Sequence, residues 1–208
     1  EDDLIQNVEN TKNIHVEYVS ANPTGPLHIG HGRGMILGEV TAKFLSYQGH
    51  KIAREYYVND AGRQIDLLLV SVLLCHLGKN KHIFVDEKTN DDGHLVTYKG
   101  NYVNDVAISL RHDLEKIDKD SVLNLLDEPI DSLISFLKNH KSYSQIRNAL
   151  VNVIIDKYIK EDLSAVGINF DSWFRESQLY ETGLLDEVLL NIKNKNLSYR
   201  KDGALWFK

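Results

Sequence analysis

The chain is expected to fold as an α/β protein, a partial parallel sheet interrupted by a mainly helical insertion. Three observations predict this. Apolar residues alternate over Ile14-His15-Val16-Glu17-Tyr18-Val19, a long segment of helical spacing follows, and Ile52 to Val58 reads as a second strand that leads into a second helix. Strand, helix, strand, helix at these lengths form a parallel unit with crossover connections. Beyond Gly78 the alternation is lost and helical spacing dominates.

Each element carries its own signals. Residues 1–13 are polar and read as a linker or fraying end. From Gly30 to Gln48, Met35, Ile36, Leu37, Val40, Phe44 and Leu45 recur at helical spacing, and Gly49 is a natural stop. The strand Ile52 to Val58 closes on Asn59-Asp60-Ala61-Gly62, where Asp60 is the expected N-cap of a helix running to about Leu77. Residues 79–94 read as loop with one short strand at Ile83-Phe84-Val85, followed by helices at Val103 to Ile117 and Val122 to Leu137. Tyr143 to Val166 is a further helix, with Ile146, Leu150, Ile154, Tyr158 and Leu163 on one face and Gly167 at its end. Ile168-Asn169-Phe170 is expected to return to the sheet, and Thr182 to cap a helix at 183–195. Leu197-Ser198-Tyr199-Arg200 and Ala204-Leu205-Trp206-Phe207, joined by Lys201-Asp202-Gly203, predict a hairpin. This organises the chain as 1–77, the first half of a sheet domain; 78–142, an insertion; and 143–208, a return to the sheet domain.

Composition narrows the function. At 208 residues the chain can bury a real core, and a net charge of −6 argues against a generic basic nucleic-acid binder. A single cysteine, Cys75, excludes a disulfide framework within the chain and suits a reducing, cytoplasmic compartment; its apolar surroundings predict a buried thiol. The apolar run at 67–75 is too short to span a bilayer. Lys138 to Lys141 and Lys193 to Lys195 read as solvated basic faces. Trp173, Phe174, Trp206 and Phe207 read as core aromatics.

The most informative stretch is Ala21-Asn22-Pro23-Thr24-Gly25-Pro26-Leu27-His28-Ile29-Gly30-His31-Gly32-Arg33, between the first strand and the first helix. Two prolines and a glycine make a bend, and two histidines follow beside glycines that cannot obstruct a ligand. A helix N-terminus at the end of a parallel strand favours phosphate, because its first N–H groups lack intrahelical partners. Two plain turn histidines are the bland alternative. A zinc site would need further ligands at metal spacing, which the sequence lacks. A dinucleotide fingerprint fails because Met35 stands where the third glycine belongs. What remains is a nucleotide site in which imidazoles donate hydrogen bonds to phosphate oxygens.

Pro26-Leu27-His28-Ile29-Gly30-His31 resembles the HIGH signature of class I aminoacyl-tRNA synthetases. The wider string Val16 to Gly34 resembles bacterial arginyl-tRNA synthetases, as does Arg54-Glu55-Tyr56-Tyr57-Val58-Asn59-Asp60-Ala61-Gly62-Arg63-Gln64-Ile65. So do Tyr98-Lys99-Gly100-Asn101-Tyr102, Gly167-Ile168-Asn169-Phe170-Asp171-Ser172-Trp173, Glu176-Ser177 and Asp202-Gly203-Ala204-Leu205-Trp206. The resemblance implies a Rossmann-like, HUP-type sheet and a two-step reaction. L-Arginine is activated by ATP to arginyl-adenylate, then moved to the terminal ribose of tRNA(Arg). By the same resemblance His28 and His31 steady the phosphates as catalytic residues, and Pro26, Leu27, Gly30 and Arg33 complete the ATP contacts. Ser20, Asn22, His31 and Glu176 would hold arginine, with Glu176 taking two parallel bonds from the guanidinium. Tyr56-Tyr57 and Arg63-Gln64 are expected to serve packing and helix-start contacts. Mg2+ would arrive on the phosphates, with no zinc, and no DNA or membrane partner is implied.

Nothing in the sequence resembles the lysine-rich KMSKS-type loop, the later strands that complete the family's arginine pocket, or its tRNA-elbow and anticodon-binding domains. With Glu1 rather than methionine at its start, the chain reads as an excerpt of a longer protein, truncated before that loop and expected to be catalytically silent alone. Another class I synthetase, or a small nucleotidyltransferase with a related histidine signature, are the alternatives left open.

Overall fold

The computed structural model describes residues 10–82, 84 and 97–208. Three parallel strands carry its sheet: β1 (Asn13–Glu17), β2 (Lys51–Val58) and β3 (Ser172–Arg175), in the spatial order β1-β2-β3. Asn13 pairs with Lys51 and Glu17 with Glu55; on the other side Glu55 pairs with Ser172 and Val58 with Arg175. The expected Rossmann-like α/β class is thus present as one half of a doubly wound sheet, whose second half would continue past β1.

The third strand lies later than Ile168-Asn169-Phe170. The side chain of Asp171 accepts the Arg54 N–H at 2.8 Å, and its own N–H reaches Arg54 O, so ladder pairing begins only at Ser172. Phe170 turns inward instead, 4.5 Å from the Tyr18 ring, and Tyr56 stacks on Trp173 at 4.5 Å.

Helix α1 (Ile29–Tyr47) joins β1 to β2 and lies directly on Tyr18. A Cβ on Gly38 would meet the Tyr18 side chain at 2.3 Å, so only glycine permits this approach. The Tyr18 hydroxyl donates to buried Glu39 at 2.5 Å, and Glu39 also pairs with Lys43 and Arg54. Burial and that carboxylate together raise the Tyr18 pKa. The periodicity of α1 does not translate into a buried apolar face. Ile36, Leu37, Val40, Phe44 and Tyr47 are exposed in a stripe, and only Glu39 and Ala42 are buried.

Helix α2 (Arg63–His76) is the centre of the core, with Ile65, Leu68, Leu69, Val72 and Leu73 buried. Its N-cap is Gly62, not Asp60. Asp60 is buried and spends its carboxylate on the Ser177 N–H and hydroxyl, both at 2.9 Å. Asp66, buried on α2, accepts from Tyr143 Oη at 2.5 Å and pairs with Lys138 and Arg147. Lys138 is therefore engaged rather than merely solvated.

The two helices expected over 103–117 and 122–137 are each broken in two. They become α3 (Asn101–Ser109) and α4 (Arg111–Leu114), then α5 (Lys119–Asn124) and α6 (Ile130–Asn139). Ser109 bonds back to Asp105 O at the first break, a competitor of the helix ladder, and Pro129 enforces the second by disfavouring a helical Glu128. The long helix is α7 (Tyr143–Ile154), a π-turn at Ile155–Ile159 and α8 (Lys160–Ala165). Thr182 is not the N-cap of the helix after it. Its hydroxyl bonds back to Gln178 O at the end of α9 (Ser177–Glu181), and α10 (Leu184–Asn194) starts from Gly183 in the left-handed region. The hairpin is β4 (Ser198–Lys201) with β5 (Ala204–Phe207), and Trp206 and Phe207 are exposed rather than core. Trp173 and Phe174 are half-buried. Cys75 is half-buried too, less enclosed than expected, and its partial burial raises the thiol pKa. Phe84 is buried, whereas Ile83, Val85, most of the loop at 79–94 and residues 1–9 lie outside the described residues.

On an exposed helix face Gly→Ala stabilises by about 1 kcal/mol. Gly38→Ala should reverse that sign and destabilise by about 1–3 kcal/mol, because the new methyl meets Tyr18. Urea denaturation of the two forms measures it.

Candidate functional site

The site begins where β1 leaves the sheet. Val19 and Ser20 both adopt positive φ, 62° and 41°, a region that costs non-glycine residues about 1–3 kcal/mol each. The turn is held by Ser20 N–H to Tyr18 O at 2.9 Å, and by the Ser20 hydroxyl, which accepts the Tyr57 N–H at 3.0 Å and ends the ladder. Past it, buried Ala21 offers its carbonyl to Tyr56 Oη at 3.0 Å, and Asn22 Nδ2 donates to Gln64 Oε1 at 2.7 Å. Pro23 is buried, and the Thr24 N–H returns to Asn22 O. Leu27 N–H donates to the Asp162 carboxylate at 3.2 Å, and Tyr102 Oη donates to Thr24 O at 3.0 Å.

His28 is the N-cap of α1, and its cap is reciprocal. His28 Nδ1 accepts the Gly30 N–H at 3.1 Å, while His31 Nδ1 accepts the His28 N–H at 3.1 Å. The two rings lie 3.9 Å apart, centroid to centroid. With both Nδ1 lone pairs engaged, each neutral ring must carry its hydrogen on Nε2, which is then a free donor. Burial, then the neighbouring His28, lowers the His31 pKa, which favours that neutral form. A Cβ at Gly30 would lie 2.8 Å from the His28 ring, so the cap itself requires glycine there.

His28 and His31 border a cleft of about 340 Å³ with Ala21, Asn22, Thr24, Gly25, Pro26 and Leu27 on one side and Tyr98 and Tyr102 on the other. Ser20, Pro23, Ile29, Gly30 and Arg33 flank this cleft without lining it; Ile29, Gly30 and Arg33 face solvent. Glu176 is also outside it, half-buried at the end of β3, where its N–H bonds Val58 O at 3.0 Å. Ser20 and Glu176 converge instead on Tyr57. Ser20 holds the Tyr57 amide, and Glu176 contributes, after burial, to raising the Tyr57 phenol pKa. Of the residues expected to hold arginine, Asn22 and His31 therefore share the cleft with His28, whereas Ser20 and Glu176 form an adjoining group around Tyr57.

Sequence reasoning assigned no site role to Tyr57, Asp60, Gln64, Tyr98, Tyr102 or Asp162. All but Asp162 stood inside matched strings, but side chains that orient others have no residue-type signature of their own. A larger cleft, about 410 Å³, opens between α2 and α3 beside Ser71, Lys81 and Lys99; it contains no residue of the histidine bend, and Tyr98 lines both clefts. Among the described residues no three His, Cys, Asp or Glu side chains gather as a metal site, and no helix is long and apolar enough to cross a membrane.

Residues 1–207 match the family model described as "tRNA synthetases class I (R), catalytic domain". The arginine–tRNA ligase of Aquifex aeolicus is 38% identical over 94% of this chain and 35% of its own length. That of Thioalkalivibrio sulfidiphilus is 39% identical over 95% of this chain and, again, 35% of its own length. The chain thus spans about a third of the relatives it matches. A crystal structure described as an arginyl-tRNA synthetase of Campylobacter jejuni superposes with a TM-score of 0.66 at 30% identity, covering 99% of this chain and 39% of that one. Plasmodium falciparum arginyl-tRNA synthetase shares the fold at a TM-score of 0.57, with 18% identity over 96% of this chain and 30% of its own.

The lowered His31 pKa has a definite sign. As pH falls below 6.5 the unfolded chain takes up the proton first, so His31 contributes stability above that value and loses it as pH falls through the folded pKa. Denaturation curves at pH 7.5 and about 5.5 should therefore converge in His31→Asn relative to the parent chain. An NMR titration should place the His31 ring below the ordinary histidine range.

Proposed function

Because the chain belongs to the class I arginyl-tRNA synthetase catalytic-domain family, we propose that it carries the adenylate-forming cleft of an arginine–tRNA ligase. The observation that carries this reading is the pair of Nε2–H donors that the reciprocal cap frees at the start of α1, at the carboxyl ends of parallel strands. A carboxylate oxygen of arginine attacks the α-phosphorus of ATP. The bond to the bridging oxygen breaks, and pyrophosphate leaves with its electron pair. Negative charge grows on the phosphate oxygens during that displacement, and prearranged neutral donors are worth most there. In the second step a ribose hydroxyl of tRNA(Arg) attacks the adenylate carbonyl, AMP leaves and the hydroxyl proton is released.

In this reading His28 and His31 act on the phosphates, and Pro26, Leu27, Gly30 and Arg33 border the nucleotide. Ser20, Asn22, His31 and Glu176 receive arginine. Mg2+ enters as part of the ATP substrate, and no step is assigned to it. Residues 1–77 and 143–208 form the sheet domain, with 78–142 inserted, and the protein works in the cytoplasm on tRNA rather than on DNA or a membrane. Among the described residues the outer edge of β1 carries no further strand, and in this reading the isolated chain is catalytically silent.

The full-length protein should exchange pyrophosphate with ATP only when arginine, and tRNA, are supplied; strict dependence on another amino acid would overturn the assignment. His28→Ala or His31→Ala should lower the exchange rate by about 10²–10³, the usual cost of removing a transition-state donor. Glu176→Gln should instead appear mainly as a raised KM for arginine. Calorimetry on the 208-residue chain should give millimolar or absent ATP binding; micromolar binding with turnover would show that it is not silent.

A further inference from the structure

We propose that Tyr102, on the inserted helix α3, is a positioning residue for the histidine bend: a strut that holds the Thr24–Leu27 backbone, and through it His28 and His31, in register with the substrate. This rests on the adenylate-forming reading of the same cleft.

The bend has few bonds of its own. Pro23 and Pro26 have no N–H, and the one backbone bond within Asn22–Leu27 is Thr24 N–H to Asn22 O at 2.8 Å. Its remaining supports come from far along the chain. Tyr102 Oη donates to Thr24 O at 3.0 Å across 78 positions. Asp162 accepts the Leu27 N–H at 3.2 Å across 135. The Tyr102 ring also packs against the bend. A Cβ on Gly25 would sit 3.1 Å from that ring, and a Cβ on Gly100 would meet its other edge at 3.1 Å. A methyl at either glycine would push the ring by a few tenths of an ångström away from its present seat. Behind it, Tyr158 in the π-turn makes an edge contact with centroids 6.2 Å apart, and its hydroxyl reaches Asp105 at 3.4 Å. Tyr98, the neighbouring tyrosine of the same string, has its N–H on Ser71 Oγ at 2.8 Å and its hydroxyl side toward Thr24. Burial pushes the Tyr102 phenol up to about 12, so it remains a donor at every working pH.

A strut and a substrate contact make different predictions. A phenol that touches ATP would be read as a raised KM. A phenol that only aims the bend should lower kcat, since a displacement near 1 Å can cost about 100-fold, and should leave KM alone. The test uses the full-length protein, with arginine-dependent ATP–pyrophosphate exchange in the presence of tRNA and hydrogen exchange at the amides of Leu27 to His31. Tyr102→Phe keeps the ring and should lower kcat about 10-fold, with KM values for ATP and arginine within about twofold. The same amides should exchange about 10-fold faster while the melting temperature is retained. Tyr102→Ala should lower kcat about 100-fold. Gly25→Ala should lower it about 10-fold alone, yet add less than about twofold to Tyr102→Ala, because the methyl then has no ring to strike.

Tyr102→Phe with unchanged kcat and unchanged protection overturns the proposal. So does a raised KM with unchanged protection, which would make the phenol a substrate contact, and so do Gly25→Ala and Tyr102→Ala effects that simply multiply. Absence of exchange activity in the unmutated protein would remove the adenylate-forming reading alone. The amide measurement then decides by itself: faster exchange in Tyr102→Phe supports the strut, and unchanged exchange overturns it.

Discussion

The first turn of an α-helix presents N–H groups that have no intrahelical partner, and here two imidazole lone pairs answer that need. Capping is ordinarily the work of Ser, Asp or Asn. Using histidine for it has a second effect, because an Nδ1 that accepts leaves Nε2 as the only place for the ring hydrogen. The same bonds that start α1 thus decide which edge of each ring faces outward. Protonating His31 at Nδ1 would turn an acceptor into a donor against the His28 N–H, so structure and charge state are coupled there. Burial and then the neighbouring His28 lower the His31 pKa, which acts in the same direction.

For the cap to form, the chain must leave β1 abruptly, and that accounts for the left-handed Val19 and Ser20. Their unfavourable backbone is offset by bonds the exit makes possible, above all the Ser20 hydroxyl on the Tyr57 amide and the Ala21 carbonyl on Tyr56. On the far side of β2, Asp60 performs the matching task, holding both donors of Ser177 so that Glu176 stays at the end of β3. Three strand ends are thereby tied together by side chains in addition to the backbone bond from Glu176 N–H to Val58 O.

Much of this was legible in the sequence. Alternation located β1 within a residue or two and β2 stands where a second strand was expected, while helical spacing located α1 and the start of α7, although in α1 the periodic residues face outward. Failures came where a side chain competed with the backbone. Asp171 took a ladder position and delayed β3; Asp60 turned toward Ser177 and left α2 to Gly62; Ser109 and Pro129 broke helices that continuous spacing had promised. Burial was misread at Trp206 and Phe207, since hydrophobicity states what a residue would gain from a partner and not whether one is present. At the site, the histidines and the bend were visible because chemistry restricts their residue types. Their supports at Tyr102 and Asp162 were not, since contacts across 78 and 135 positions leave no local pattern.

Gly38 sits midway along α1, where the helix touches Tyr18, with the histidines at one end and the bare stripe of Ile36, Leu37, Val40, Phe44 and Tyr47 running toward the other. Such a helix behaves as a beam on a fulcrum. Ten residues separate Gly38 from His28, about 15 Å of helix, so a rocking of only about 4° carries the imidazoles roughly 1 Å. The same geometry ties the tilt of the exposed stripe to the placing of the histidine end, because both ride on one helix that rests on Tyr18.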